Sequence, residues 1–244
     1  MSVHLKKPAA GSIPIHVVDL AGFDAAAAAL PAAQRQWLAT LGFRGAPDTH
    51  ALLPDAQGRL AAVWAGARLG HPFALALLPR ALPAGAYHLA EGGLELDLAH
   101  LAMAWQLGSY SFDRYKPRAR AAAQLSLPPG AAARRGLMLA EAITLVRDLV
   151  NTPSEDMGPE QLAQAAETVA KAHGATFKQT VGDALLKQGF PAVHAVGRAA
   201  VRAPRLIELN WGKPRHPRLT LVGKGVCPGS FARSEPGSLC FCTS

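Results

Sequence analysis

Apolar and polar positions along the chain follow two periods in turn, which predicts interleaved strands and helices. Residues 15–20, "IHVVDL", are β-branched and apolar and predict a first strand. Residues 24–43 contain helix formers throughout, and Pro31 is expected to divide this segment or to open its second part. Two further strands are predicted at 50–54 and 59–67, with a short polar turn between them.

Two more helices are predicted, at 96–107 and at 131–149, and the second is the longest in the chain. The segment 114–136 contains arginines, prolines and a glycine after a complete α/β unit, which is typical of a linker. In the long helix Leu137, Ala140, Ile143 (or Thr144) and Val146/Leu149 recur at helical spacing, so we expect that side of the helix to be buried.

From residue 131 onward the predicted order is helix, helix, strand, helix, strand and strand, so the expected fold class is α/β. We expect a small α/β N-terminal domain at 1–128 and, at 129–226, the incomplete start of a second α/β domain with a central mixed sheet. Its last strand is predicted at 219–222 and leads directly into Lys224, which lies between two glycines. The polar segment 227–244 holds all three cysteines and is predicted to be an aberrant, disordered tail.

Composition narrows the class of protein. Apolar residues make up 50% and charged residues 17%, which is typical of a globular protein, and no apolar run reaches the roughly 18–20 residues of a membrane span. Because cysteine is absent before residue 227, disulfides do not hold the fold, and we expect a reducing cytoplasm. The net charge of +8 permits a basic binding module, but the charges are scattered and no recognition motif accompanies them, so nucleic-acid binding is not expected.

Lys224 is the residue with the clearest candidate chemistry. It does not belong to a phosphate-binding loop, because Arg218 and Gly225 occupy positions where that motif requires glycine and Ser or Thr. Pro228 likewise breaks the dinucleotide-binding pattern. His88 and His194 are interpreted as core or turn histidines, since neither has a carboxylate or cysteine at helical spacing.

Four longer stretches occur in a fixed order: "WQLGSYSFDRYK", "EAITLVRDLVNTP", "GFPAVHAVGRAAVRAPRLIELNWG" and "LTLVGKGVC". Together they resemble the leucyl (cytosol) aminopeptidase family, whose members use two divalent ions, zinc or manganese, to remove N-terminal residues from peptides. The resemblance extends from about Trp105 to Cys227. It implies peptide substrates, a cytoplasmic location and assembly as a homohexamer, with no membrane partner.

The resemblance also implies a ligand set of one lysine, three aspartates and one glutamate, and it assigns the lysine role to Lys224. An amine ligates a metal only when it is deprotonated, and burial beside two cations would lower its pKa. The next ligand of the family, an aspartate, corresponds to Gly229, which has no side chain. The remaining ligands correspond to a downstream segment that this sequence does not contain. No catalytic residue and no cofactor-binding residue besides Lys224 can be named.

These observations lead to the expectation that the sequence is truncated or frameshifted after Cys227. The chain is then expected to bind metal poorly and to be inactive alone, because one amine cannot hold two divalent ions. Two alternatives remain open: a non-catalytic partner that assembles with full-length subunits, and a basic binding module.

Overall fold

The computed structural model describes residues 2–118, 120–213, 215–227 and 238–243. The chain divides into two compact units, Met1–Arg147 and Asp148–Ser244. The strands of the first unit are β1 Val3–Leu5, β2 Ile13–Val18, β3 His50–Pro54, β4 Leu60–Gly66, β5 Ala86–Leu89 and β6 Gln124–Leu127. Its helices are α1 Phe23–Ala28, α2 Ala32–Thr40, α3 Leu78–Ala81, α4 Leu98–Gly108 and most of α5, Ala131–Asn151.

The six strands of the first unit form one mixed sheet in the order β1-β6-β5-β2-β4-β3. Neighbouring strands are parallel except β3 and β4, which form an antiparallel pair. Parallel strands require crossover connections. Along the chain α3 lies between β4 and β5, which flank β2 in the sheet, and α4 lies between the sheet neighbours β5 and β6. The predicted α/β class is therefore confirmed, and a mixed sheet is found in the first unit, whereas it was predicted for the second domain.

Strand β6 corrects the prediction that the whole of 114–136 is a linker. It pairs in parallel with β1 on one side and with β5 on the other, so it lies inside the sheet. Leu125 and Leu127 are buried, and only a long-range partner on each side makes so short a segment a strand. The arginines and prolines around these four residues conceal the signal in the sequence.

Two apolar clusters cover the two faces of this sheet. The larger one joins Ile15 and Val63 of the sheet to Leu101 and Trp105 of α4, and the Trp105 indole N–H donates to the Ala123 carbonyl at 3.2 Å. The smaller cluster lies under α1 and α2 and includes Trp64. Pro31 is the N-cap residue of α2, so the prediction that proline opens the second half of the segment is confirmed.

Helix α5 confirms the long helix predicted at 131–149 and only part of its predicted buried face: Ala140 is buried and Leu137 packs against the larger cluster, but the face does not continue to Ile143 and Val146. Ala133, Gly136 and Ala140 are its buried residues, whereas the Val146 side chain is 59% exposed. Ile143 is also exposed. The packed face is the one with the smallest residues, because these permit a close approach to α4.

The second unit contains α6 Pro159–His173, β7 Thr176–Val181, α7 Ala184–Lys187, α8 Pro191–Gly197, β8 Arg205–Asn210, β9 Val222–Cys227 and β10 Ser238–Thr243. Helix α6 ends at Gly174, which adopts a left-handed φ of 64°, as expected for a helix C-cap. Its described strands pair two by two, β7 with β8 and β9 with β10, both antiparallel. Among the helices of the described ranges, none combines the length and apolar character that a bilayer span requires.

Candidate metal centre

Lys224 lies within strand β9 rather than at the end of a strand. The predicted strand at 219–222 is displaced: Leu219 and Leu221 are highly exposed, and the regular strand begins at Val222. The backbone of Lys224 pairs with that of Phe241 in β10. The two glycines beside the lysine do not end the strand, because both are paired with residues of β10 as well.

The Lys224 side chain is exposed to solvent. A lysine that acts as a metal ligand needs a site that removes it from water and surrounds the metal with further donors. Among the residues that the structure describes, no three His, Cys, Asp or Glu side chains lie close enough together to hold a metal ion. The described residues therefore do not fit a site for two divalent ions. Gly229, at the position of the next expected ligand, lies outside the described residues.

His194 has a carboxylate partner that the sequence analysis did not find. Its Nε2 shares a 3.0 Å hydrogen bond with Oδ1 of Asp183, eleven residues earlier. The pair is formed across two short helices, α7 and α8, and no helical spacing predicts it. Only 16% of the His194 side chain is exposed, against 90% for Asp183, which is typical of a structural pair at the surface. Nδ1 of His88 shares a 2.9 Å hydrogen bond with Ser12 Oγ.

His16 is a further titratable residue that sequence reasoning missed. It lies on β2 opposite Trp64 of β4, and the two rings stack with their centroids 5.3 Å apart. Burial lowers the pKa of His16 below its ordinary value, and the nearby His88 lowers the pKa further. The sequence carried a weak signal, because His16 interrupts an apolar strand between two buried residues, Ile15 and Val17. Both influences favour the uncharged imidazole.

Two family models match the chain in succession. Residues 13–128 match the N-terminal domain of the M17 aminopeptidases, and residues 144–230 match the catalytic domain of the cytosol aminopeptidase family. Among curated relatives, a protein named probable cytosol aminopeptidase from Streptomyces coelicolor is 34% identical over 200 residues. That alignment covers 71% of this chain and 36% of the relative. A protein of the same name from Streptomyces griseus is 33% identical, over 78% of this chain and 44% of the relative.

Solved structures show similarity to the same family of aminopeptidases. The crystal structure of a cytosol aminopeptidase from Coxiella burnetii superposes with a TM-score of 0.76 at 36% identity, covering 88% of this chain and 47% of that one. The bottromycin maturation enzyme BotP, in complex with Mn, superposes with a TM-score of 0.66 at 25% identity, covering 84% and 46%. The chain thus spans between about a third and a half of the length of these relatives.

Proposed function

The chain belongs to the cytosol aminopeptidase family, M17, and from this membership we propose that it serves the metal-dependent removal of N-terminal residues from peptides. One observation carries the proposal. The chain superposes on the Coxiella burnetii cytosol aminopeptidase over 88% of its residues at 36% identity. A similarity of this extent in both sequence and fold supports a shared reaction more strongly than the fold alone would.

Lys224 is the proposed nitrogen ligand of one divalent ion, manganese or zinc. The Mn complex of BotP supports divalent metal use in structures of this kind. The described residues bring no group of three His, Cys, Asp or Glu to one place, so they do not complete a hydrolytic centre. Because this chain covers less than half of the length of these relatives, the further ligands are proposed to correspond to their uncovered part. The domains at 1–128 and 129–226, the cytoplasmic location and the hexameric assembly belong to the same proposal.

The test uses the 244-residue chain and L-leucine p-nitroanilide, with Mn²⁺ or Zn²⁺ added. We expect p-nitroaniline release no faster than in a blank with metal alone, and no stoichiometric ion binding by calorimetry. Release that EDTA abolishes, and that Lys224→Met abolishes while Lys213→Met does not, would show instead that this chain completes its own centre. Lys213 is a suitable control because it is also an exposed lysine of the second unit.

A second candidate function, non-catalytic assembly with family subunits, is favoured by one face of α5. Three apolar residues of the first unit, at i, i+4 and i+7 spacing, form a stripe that is 36–59% exposed: Leu139, Ile143 and Val146. An apolar helix stripe of this length is normally covered by protein. Mixing the chain with the intact Coxiella burnetii enzyme tests this function, and we expect co-elution on size exclusion. Absence of co-elution would contradict the assembly function.

A further inference from the structure

Helices α1 and α2 enclose a cavity of about 410 Å³ at the surface of the first unit. Its volume lies in the range of small-molecule sites, roughly 300–1,000 Å³. All of its lining residues lie between positions 23 and 44, so the cavity shares no residue with β9.

The floor of the cavity is apolar and well packed. Phe23, Leu38 and Phe43 line it, and each is less than 10% exposed. The Phe23 and Phe43 rings meet edge to face with centroids 5.6 Å apart, and both stand edge-on to Trp64 beneath them. Edge-to-face contacts between buried rings restrict their motion, so the floor offers a preformed apolar surface.

The mouth of the cavity carries charges of both signs. The Asp24 and Arg44 side chains line it and form an ion pair with 3.6 Å between Oδ1 and Nη1. This distance exceeds that of a hydrogen bond, and both side chains are mostly exposed, so the pair is weak and exchangeable. Arg35 also lines the cavity, and its Nη1 donates to the Leu30 carbonyl at 2.7 Å, which holds the guanidinium near the mouth.

We propose that this cavity binds a free α-amino acid with an apolar side chain. The side chain enters the aromatic floor, the ammonium group pairs with Asp24, and the carboxylate pairs with the Arg44 guanidinium, with Arg35 close by. Both charges of the zwitterion thus meet an opposite charge while the apolar part leaves water. Amino acids of this kind are what an aminopeptidase releases, so the biological meaning of the site, as a product sensor, rests on the proposed function. The binding itself does not.

The experiment is a calorimetric and saturation-transfer NMR titration of the 244-residue chain with L-leucine and L-phenylalanine. EDTA is present throughout, so that a metal centre cannot contribute, and Lys224→Met is expected to bind equally well. For a ligand of this size we expect a dissociation constant on the order of 1 mM. N-acetyl-leucinamide, which lacks both charges, is expected to bind at least about fivefold more weakly. It loses both ion pairs, and each exposed pair contributes only a modest free energy of binding.

Two variants test the assignment, each with a matched control. Arg44→Ala is expected to weaken binding about fivefold, whereas Arg59→Ala, which removes an ion pair with Asp55 away from the cavity, leaves it unchanged. Ala39→Phe fills the cavity from α2 and is expected to abolish binding, whereas Ala33→Leu on the same helix does not. No saturable binding by the folded chain would overturn the proposal. Equal binding of N-acetyl-leucinamide, or unchanged binding in both test variants, would overturn it as well.

Discussion

Gly136 of α5 lies so close to Ala99 of α4 that a Cβ atom at position 136 would stand 2.1 Å from the Ala99 carbonyl oxygen. No real Cβ atom approaches a backbone oxygen to that distance, so the two helices are in backbone contact at this point. The contact explains why α5 packs through its small residues and leaves Leu139, Ile143 and Val146 exposed.

Gly136→Ala is expected to destabilise the first unit by about 1–3 kcal/mol, because the added methyl group must separate the helices. This sign is opposite to that of helix propensity, which favours alanine over glycine by up to about 1 kcal/mol. Chemical denaturation followed by tryptophan fluorescence measures the effect. Gly85→Ala is the control, since a Cβ at that position meets only ordinary contacts with Tyr87, at 3.6 Å or more. A Gly136→Ala chain as stable as the parent would show that the helices are not in contact.

Arg202 holds the turn after α5, and its removal is expected to loosen that turn. Its guanidinium donates to the backbone carbonyl of Ser154 at 2.9 Å and to that of Glu155 at 2.6 Å. Arg202→Ala leaves both carbonyls without these donors, which should cost about 1–2 kcal/mol. Arg202→Lys should retain only part of this stability, because an ammonium group cannot donate to both carbonyls with the planar geometry of a guanidinium.

Hydrogen exchange measured by mass spectrometry over residues 152–162 reports on this turn directly. We expect exchange to accelerate by about tenfold in Arg202→Ala, which corresponds to a loss of about 1.4 kcal/mol. Arg198 is exposed on the neighbouring segment, and Arg198→Ala should leave the exchange rate of residues 152–162 unchanged. Unaltered exchange in the Arg202 variant would mean that the turn is held by its own backbone hydrogen bonds.

His16 is expected to make the stability of the first unit depend on pH. Its pKa in the folded chain lies below the ordinary value of 6.5, because burial and His88 disfavour the imidazolium. As pH falls through that ordinary value, the unfolded chain takes up the proton first, so the free energy of unfolding decreases. The decrease in the free energy of unfolding should be small at pH 7 and should grow toward pH 5.

Chemical denaturation at pH 7 and at pH 5 measures this pH dependence of stability. The parent chain, His16→Gln and the control His50→Gln are compared. We expect the His16 variant to lose less stability between the two pH values than the parent chain does. His50 lies on β3 and is exposed, so its variant should follow the parent. If both variants show the parental pH dependence, His16 is not its source.

The exposed stripe of α5 is expected to promote association of the chain. A double substitution, Leu139→Glu with Val146→Glu, places two charges on the stripe without touching the buried Ala133, Gly136 or Ala140. Light scattering over a dilution series should show a lower association constant, with unchanged unfolding free energy. Leu69→Glu is the control, since Leu69 is equally apolar and 63% exposed but lies elsewhere. Equal association constants for the parent chain, the double variant and the Leu69 variant would show that the stripe is not the association surface.

Local patterns were sufficient for most regular elements. The strand β2, the helix α5 and the proline-opened helix α2 each have an apolar period or a fixed backbone angle within their own residues, and such signals do not depend on distant partners. Strand β6 escaped prediction because its four residues are too few for a period, and only the partners β1 and β5 stabilise it. The pair of His194 with Asp183 escaped for the same reason: it joins two elements with no common spacing.

The sequence by itself determined the α/β class, the family and the position of Lys224 within a characteristic segment, because ordered motifs and periodicity are properties of neighbouring residues. The tertiary structure alone decided that Lys224 lies inside a strand pair and is exposed, which face of α5 packs against α4, and where an apolar cavity meets opposite charges at its mouth. These features depend on the distances in space between residues that are far apart along the chain. That distance is fixed by strand pairing and by the close approach of small side chains, and neither is encoded in the spacing of residues along the chain.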